Sequence, residues 1–287
     1  MTAELYQTVL AQGAWINLSF RAKWRLSGAD RVRYLNGQVT NDVRTASATA
    51  ALHACVTNLK GKIEADIFIH AAPDGQSLLL DAPADLRDPL GMRLERYIIA
   101  DDAVLEDITD EWQLWHHIAP ATATETPTQA LINPHRFHLP GTDHWLPLTA
   151  PAPAEVPLSE ADAETLRILQ KVPAYPHELN PETFPQEAGL ETTAMSFTKG
   201  CYIGQEILSR IKTTGKMPRR LIAWTADIPL PPGEPLLSDE GKDIGHITGT
   251  TLHPLTSAPI GLAMIKQTAA DAPSWKTASG QTLTARA

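Results

Sequence analysis

Cysteine is almost missing from this chain, which holds only Cys55 and Cys201 among 287 residues. Two thiols so far apart exclude a disulfide framework and a multi-thiolate metal cage, and they suit a reducing compartment. No stretch approaches the ~18 consecutive apolar residues that a membrane span requires. The first twenty residues contain no Lys or Arg, so neither a secretory signal nor an arginine-rich transit peptide is legible there, and we expect a cytoplasmic protein with no membrane partner. There is no P-loop, no Rossmann glycine string, no Gly-x-Ser-x-Gly elbow and no His-Glu-x-x-His pair. Basic charge is also scarce overall. The net charge of −9 argues against direct nucleic-acid binding and against anionic lipid.

What remains is ordinary globular material, 43% hydrophobic and 20% charged. The length exceeds that of a typical single domain, so more than one compact unit is expected. Residues 15 to 20 and 22 to 27 read as strands, and Ser27 with Asp30 marks the start of a helix that Gly37 stops. Runs 51 to 57, 63 to 71 and 77 to 81 read as an antiparallel meander, the last two joined across Asp74-Gly75. Asp88 before Pro89 reads as an N-cap, with Leu90, Leu94 and Tyr97 at helical spacing behind it. Strands follow near 103 to 108, 111 to 119 and 143 to 148. The proline-rich stretch 147 to 157 reads as a connector, and Ser159 opens a helix that Pro173 closes. Beyond Gly215, strand-like runs at 219 to 227, 243 to 250 and 260 to 265 suggest a small β module. Pattern alone gives an α+β fold with antiparallel sheets.

The densest local signal is Lys199-Gly200-Cys201-Tyr202-Ile203-Gly204-Gln205-Glu206. Two glycines permit backbone angles closed to other residues, and the following residues read as a short helix ended by Gly215. Cys201 beside a helix N-terminus and two residues from Lys199 is expected to favour its thiolate; the competing reading is a small buried hydrophobe. Residues 199 to 220 carry Lys199, Arg210, Lys212, Lys216, Arg219 and Arg220 against Glu206 alone. Such a stretch reads either as a solvated face neutralised by the acidic segment 155 to 191 or as a local anion site.

This octapeptide, with Phe184-Pro185-Gln186-Glu187-Ala188-Gly189-Leu190 before it and Arg210, Gly215, Arg219, Arg220 and Leu221 after it, resembles the signature of the YgfZ-type folate-binding proteins. These are a branch of the superfamily that includes the glycine-cleavage T-protein, a folate-dependent aminomethyltransferase. Tyr34 to Val43, Gly61 to Asp66, Ile244 to Thr248 and Gly261 to Ala263 resemble further segments of the family. The resemblance implies two interwoven α+β domains (1–213) followed by a C-terminal β-barrel (214–287). It also implies tetrahydrofolate or a derivative as cofactor, iron-sulfur proteins or assembly factors as partners, and a role in cluster assembly or repair that reaches enzymes such as those modifying tRNA.

On this reading Cys201 and Lys199 carry the chemistry, through a transient cluster contact at most, because one credible thiolate cannot house a cubane alone. Gly204, Gln205, Glu206 and Arg210 shape the binding loop, with Tyr202 and Trp24 as stacking groups; no resident metal is expected. The T-protein segment Tyr-Thr-Gly-Glu, whose glutamate meets the pterin edge, is absent, and Leu139-Pro140-Gly141-Thr142-Asp143 stands in its place. Asp88 is the weak counterpart of a transfer-assisting aspartate. His116 and His117, adjacent in a β-run, point to opposite faces and suit packing better than metal ligation. Two alternatives stay open: a folate-dependent aminomethyl transferase, and a non-catalytic adaptor docking a protein or tRNA through the basic segment 199–220, which includes Arg219 and Arg220.

Overall fold

The computed structural model describes residues 1–120, 131–155, 157–238 and 240–286. In chain order it begins with α1 (Ala3–Gln12), β1 (Ala14–Asn17), β2 (Ala22–Ser27), α2 (Arg31–Gln38), β3 (Leu52–Thr57), β4 (Ile63–Ala71), β5 (Leu78–Ala82) and α3 (Arg87–Glu95). It continues with β6 (Val104–Asp107), β7 (Trp112–Ile118), β8 (Leu131–Ile132), β9 (Gly141–Pro147), α4 (Glu160–Leu169) and α5 (Gln205–Thr214). The chain closes with β10 (Arg219–Ala226), β11 (Pro235–Leu237), β12 (Asp243–Leu252), β13 (Pro259–Lys266), β14 (Ser274–Thr277) and β15 (Thr282–Ala285).

Two antiparallel sheets interleave along the sequence. A five-stranded sheet runs β3-β4-β5-β2-β6 and a four-stranded one runs β1-β7-β9-β8. Because β1 belongs to the second sheet and β2 to the first, the chain crosses between them before either is complete. The last six strands form a closed barrel, β10-β13-β12-β11-β14-β15, which leaves no unpaired edge. Its core includes Trp224, Ile247, Ile265, Trp275 and Leu283.

Strand alternation decides what each face of the five-stranded sheet carries. Ala65, Ile67 and Ile69 of β4 join Leu78 and Leu80 of β5 and Trp24 of β2 in one apolar cluster, packed against Tyr34, Leu35, Leu90 and Leu94 of α2 and α3. The alternate positions of the same strands, among them Asp66, Phe68, His70 and Asp81, therefore project from the opposite face. That face holds the site.

Three local readings are revised. Helix α1 has no counterpart in the sequence reading; the Thr2 hydroxyl accepts from the Leu5 amide at 3.1 Å to begin it. Helix α3 starts one residue before Asp88, with Leu86 as its N-cap, so Asp88 lies inside the first turn. Helix α2 starts after Asp30 and runs through Gly37 to Gln38. Val156 of the proline-rich connector lies outside the described residues.

Candidate functional site

A cavity of about 400 Å³ opens on the polar face of the five-stranded sheet, lined among others by His53, Asp66, Phe68, Arg136, Phe137 and Tyr175. It shares Leu18, Phe20, Phe137 and Arg167 with a more apolar groove of about 800 Å³, so the two form one continuous cleft. Strand pairing sets the wall. His53 of β3 sits opposite Phe68 of β4, two register steps from the Cys55–Asp66 pair and so on the same face.

The His53 ring stacks on Phe68 with centroids 4.7 Å apart, and its Nε2 shares a short hydrogen bond with Asp66 Oδ1. His53 Nδ1 is buried without a partner. Among the described residues the second Asp66 oxygen has no protein partner either, and this side chain retains 15% exposure. His135 faces His53 at 6.1 Å between centroids, wider than direct stacking contact. Burial keeps His135 and His138 below the ordinary imidazole value. The cleft thus offers aromatic walls, an open carboxylate oxygen and an orphan ring nitrogen, the composition of a site for a flat heterocycle with hydrogen-bonding edges.

Behind this wall lies a buried ionic network. Arg136 donates from Nη1 and Nη2 to Asp81 at 3.0 and 2.8 Å, and from Nη2 to Asp143 at 2.7 Å. Its guanidinium also lies 4.1 Å over the Phe68 ring. Asp143 further accepts from Asn133 at 2.6 Å and pairs with His116 at 2.8 Å. Burial alone would raise both carboxyls, but the charge of Arg136 reverses that and holds Asp81 and Asp143 below the usual carboxylate range. His70, Asp81 and Asp143 could hold a metal by proximity, but Arg136 already occupies the cationic position between the two carboxylates. Asp143, the residue standing where the T-protein carries its glutamate, is fully buried under these partners and presents no edge to the cleft.

The octapeptide lies elsewhere. None of residues 199 to 206 lines the 400 Å³ cavity. Cys201 is a free, exposed thiol, whereas Cys55 is buried and its thiol is pushed well up by desolvation. Lys199 is 5% exposed, and its Nζ donates to the backbone carbonyls of Asn36, Val39 and Asn41 at 2.6, 2.7 and 2.6 Å. Burial draws its ammonium down to about 7, an effect opposed by the nearby charge of Asp42. The expectation that Lys199 carries the chemistry with Cys201 is therefore corrected: its side chain clamps the end of α2 to the motif loop.

Tyr202 and Trp24 are also corrected as stacking groups. Trp24 is 2% exposed in the sheet core, and Tyr202 packs with Met195 and Leu208, its hydroxyl pushed up to about 12 by burial. Gln205 and Glu206 open α5 behind Gly204, its N-cap. Among the described residues the Arg210 guanidinium reaches only Glu206, at 4.0 Å, and both are exposed. Asp88 does not line the cavity, although Asp85 does. The basic run is partly neutralised, with Lys212 on Glu191, Arg219 on Glu187 and Arg220 on Asp271.

Gly204 has φ +88°, and a Cβ there would lie 2.6 Å from the Asn58 carbonyl oxygen and 2.8 Å from Thr57 Oγ1. Glycine is required for both the left-handed turn and the close approach. Gly204→Ala is expected to cost about 3 kcal/mol of stability, read as a lowered urea midpoint; a cost below about 1 kcal/mol would show that the turn relaxes freely.

No family model matches the chain. Among curated proteins it is similar to the mitochondrial iron-sulfur cluster assembly factor IBA57 homolog of Pyricularia oryzae, 29% identical over 212 residues, covering 69% of this chain and 53% of that one. It is also similar to the tRNA-modifying protein YgfZ of Sodalis glossinidius, 28% identical, covering 83% of this chain and 79% of that one. The glycine cleavage system aminomethyltransferase T of Bartonella henselae superposes with a TM-score of 0.81 at 13% identity, over 99% of this chain and 88% of that one. The chain is similar to the YgfZ and IBA57 proteins and has the T-protein fold. It spans about half the length of the P. oryzae relative. No helix among the described residues is long and apolar enough to cross a membrane.

The cavity residues were legible in the sequence only in part. Asp66 closes a segment singled out by resemblance, but no role attaches to it in the sequence. Arg136, between the noted His135 and His138, carries no motif. The usable signal was the alternation Glu64, Asp66, Phe68, His70 against Ile63, Ala65, Ile67, Ile69, which marks a strand with an apolar face and a polar-aromatic one.

Proposed function

We propose that the chain binds a reduced folate in the His53–Asp66 cleft and supports iron-sulfur cluster assembly or repair through Cys201, in a cytoplasmic setting. The observation carrying this reading is the pairing of a cleft suited to a pterin with an exposed free thiol on a separate loop, in a relative of proteins named for cluster assembly. The open Asp66 oxygen meets the amino and ring N–H donors of the pterin edge, and His53 is oriented by its own bond to Asp66. Phe137 and Tyr175 exclude water from the ring faces. Bound folate would supply a one-carbon carrier; the chain's own groups bind and orient it. Cys201 offers a single sulfur ligand, and Cys55 is sealed, so a cluster touching this chain is shared with a partner's thiolates.

Cys201→Ser in cells lacking the native protein is expected to depress a cluster enzyme such as aconitase to the level of the empty background, with folate binding retained. Full enzyme activity in that strain would overturn the role of the thiol. The T-protein fold favours a second reading, aminomethyl transfer, and the carboxylate it needs is then Asp66 in place of Asp88. Loss of function with Asp66→Asn but not with Cys201→Ser would select it.

A further inference from the structure

The cleft and the thiol are separate, yet one short path of hydrogen bonds joins them. Asn41 follows α2 and donates from Nδ2 to the backbone carbonyl of His53 at 2.9 Å and to that of Thr193 at 3.2 Å. The carbonyl of Asn41 accepts from Lys199 Nζ, two residues before Cys201. The neighbouring Thr40 is held on both sides as well: its amide donates to the Cys55 carbonyl at 2.9 Å, and its carbonyl accepts from the Ser196 amide at 3.0 Å. Segment 39–42 therefore lies between β3, which forms the cleft wall, and loop 190–199, which delivers the motif.

We propose that Asn41 is the positioning residue through which a ligand against His53 sets the exposure of Cys201. The proposal rests on the folate reading of the cleft. A ligand engaging the His53 ring fixes the register of its backbone, Asn41 passes that constraint to Thr193 and to the Lys199 clamp, and the loop carrying Cys201 is held more firmly. The clamp can transmit because one side-chain nitrogen bonds three main-chain carbonyls of segment 36–41 at once. Asn41→Ala removes the two Nδ2 bonds, together with the Oδ1 acceptor of the Asp42 amide at 2.9 Å, and leaves the main-chain carbonyl on which Lys199 sits.

The test is the rate of iodoacetamide alkylation of the purified full chain, with and without saturating tetrahydrofolate, using Cys201→Ser as the blank for buried Cys55. In the wild type the ligand is expected to slow Cys201 alkylation about fivefold, the low end of typical site-to-site coupling. In Asn41→Ala the difference falls below about twofold, while calorimetric affinity for tetrahydrofolate and the melting temperature stay near wild type. Asn41→Ser, which keeps a small polar group but cannot span both carbonyls, gives the same loss should the alanine variant fold poorly. An unchanged or faster rate on ligand binding overturns the proposal, as does protection that persists in both variants. Failure of the wild type to bind tetrahydrofolate at all overturns the folate reading itself.

Discussion

Replacing Arg136 with Met is expected to lower the unfolding free energy by about 4 kcal/mol, because removing one partner of a buried ionic network strands the others. Arg136 is bonded to Asp81 on β5 and Asp143 on β9, so it ties the five-stranded sheet to the four-stranded one. Without it, Asp143 keeps Asn133 and His116 as close partners, Asp81 keeps Arg21, and the buried His70 lies 3.9 to 4.0 Å from both carboxylates. The pH dependence carries its own sign. In the native protein both carboxyls titrate below their unfolded value; the stability they contribute is therefore fully present above the unfolded carboxyl pKa of about 4 and is lost as the pH falls below it. In the variant, burial without the guanidinium raises Asp143, so the folded state gains on mild acidification. Urea midpoints for the two proteins should differ most near neutrality and converge toward the acid end. A difference under about 1 kcal/mol at neutral pH would mean that the sheets hold together without this network.

The second large effect falls on the ligand. Asp66→Asn is expected to weaken tetrahydrofolate binding about 30-fold in a calorimetric titration, the loss of one charged hydrogen bond worth roughly 2 kcal/mol. Asparagine keeps the shape of the side chain but turns one acceptor into a donor facing the donor edge of the pterin. Asp85 lines the same cavity, so Asp85→Asn serves as the control and should change affinity by less than about threefold. Because Asp66 is partly exposed and, among the described residues, its one side-chain partner is His53, the melting temperature should move little. Wild-type affinity in Asp66→Asn would remove this residue from the site.

Much of the architecture was readable from the chain, and the reason is local. Strand β4 opens in apolar alternation from Ile63 to Ile67, the Asp74-Gly75 turn is explicit, and Gly215, with φ +64°, ends α5 where its glycine predicts. The small β-strands were harder. Strands β8, β11, β14 and β15 are two to four residues long, too short for a period to declare itself, and the barrel pairs them into place. The motif was legible as a landmark but not in its workings. Lys199 reads in sequence as a free cation beside a thiol; in the fold its charge meets three carbonyls contributed from more than 150 positions away.

By itself the sequence determined the fold family, the antiparallel sheets, the exclusion of a disulfide or thiolate-cage protein, and the singling out of Cys201. These follow from near-neighbour patterns, composition and an uninterrupted motif. Only the tertiary structure decided that Trp24 and Tyr202 are core residues and that Asp143 is sealed beneath Arg136. The same holds for Asp66 with His53 forming the cleft wall and for Asn41 lying between cleft and thiol. Each of those outcomes depends on which strand face meets which sheet, and a side chain's partners across a fold are set by pairing and burial that no window of sequence contains.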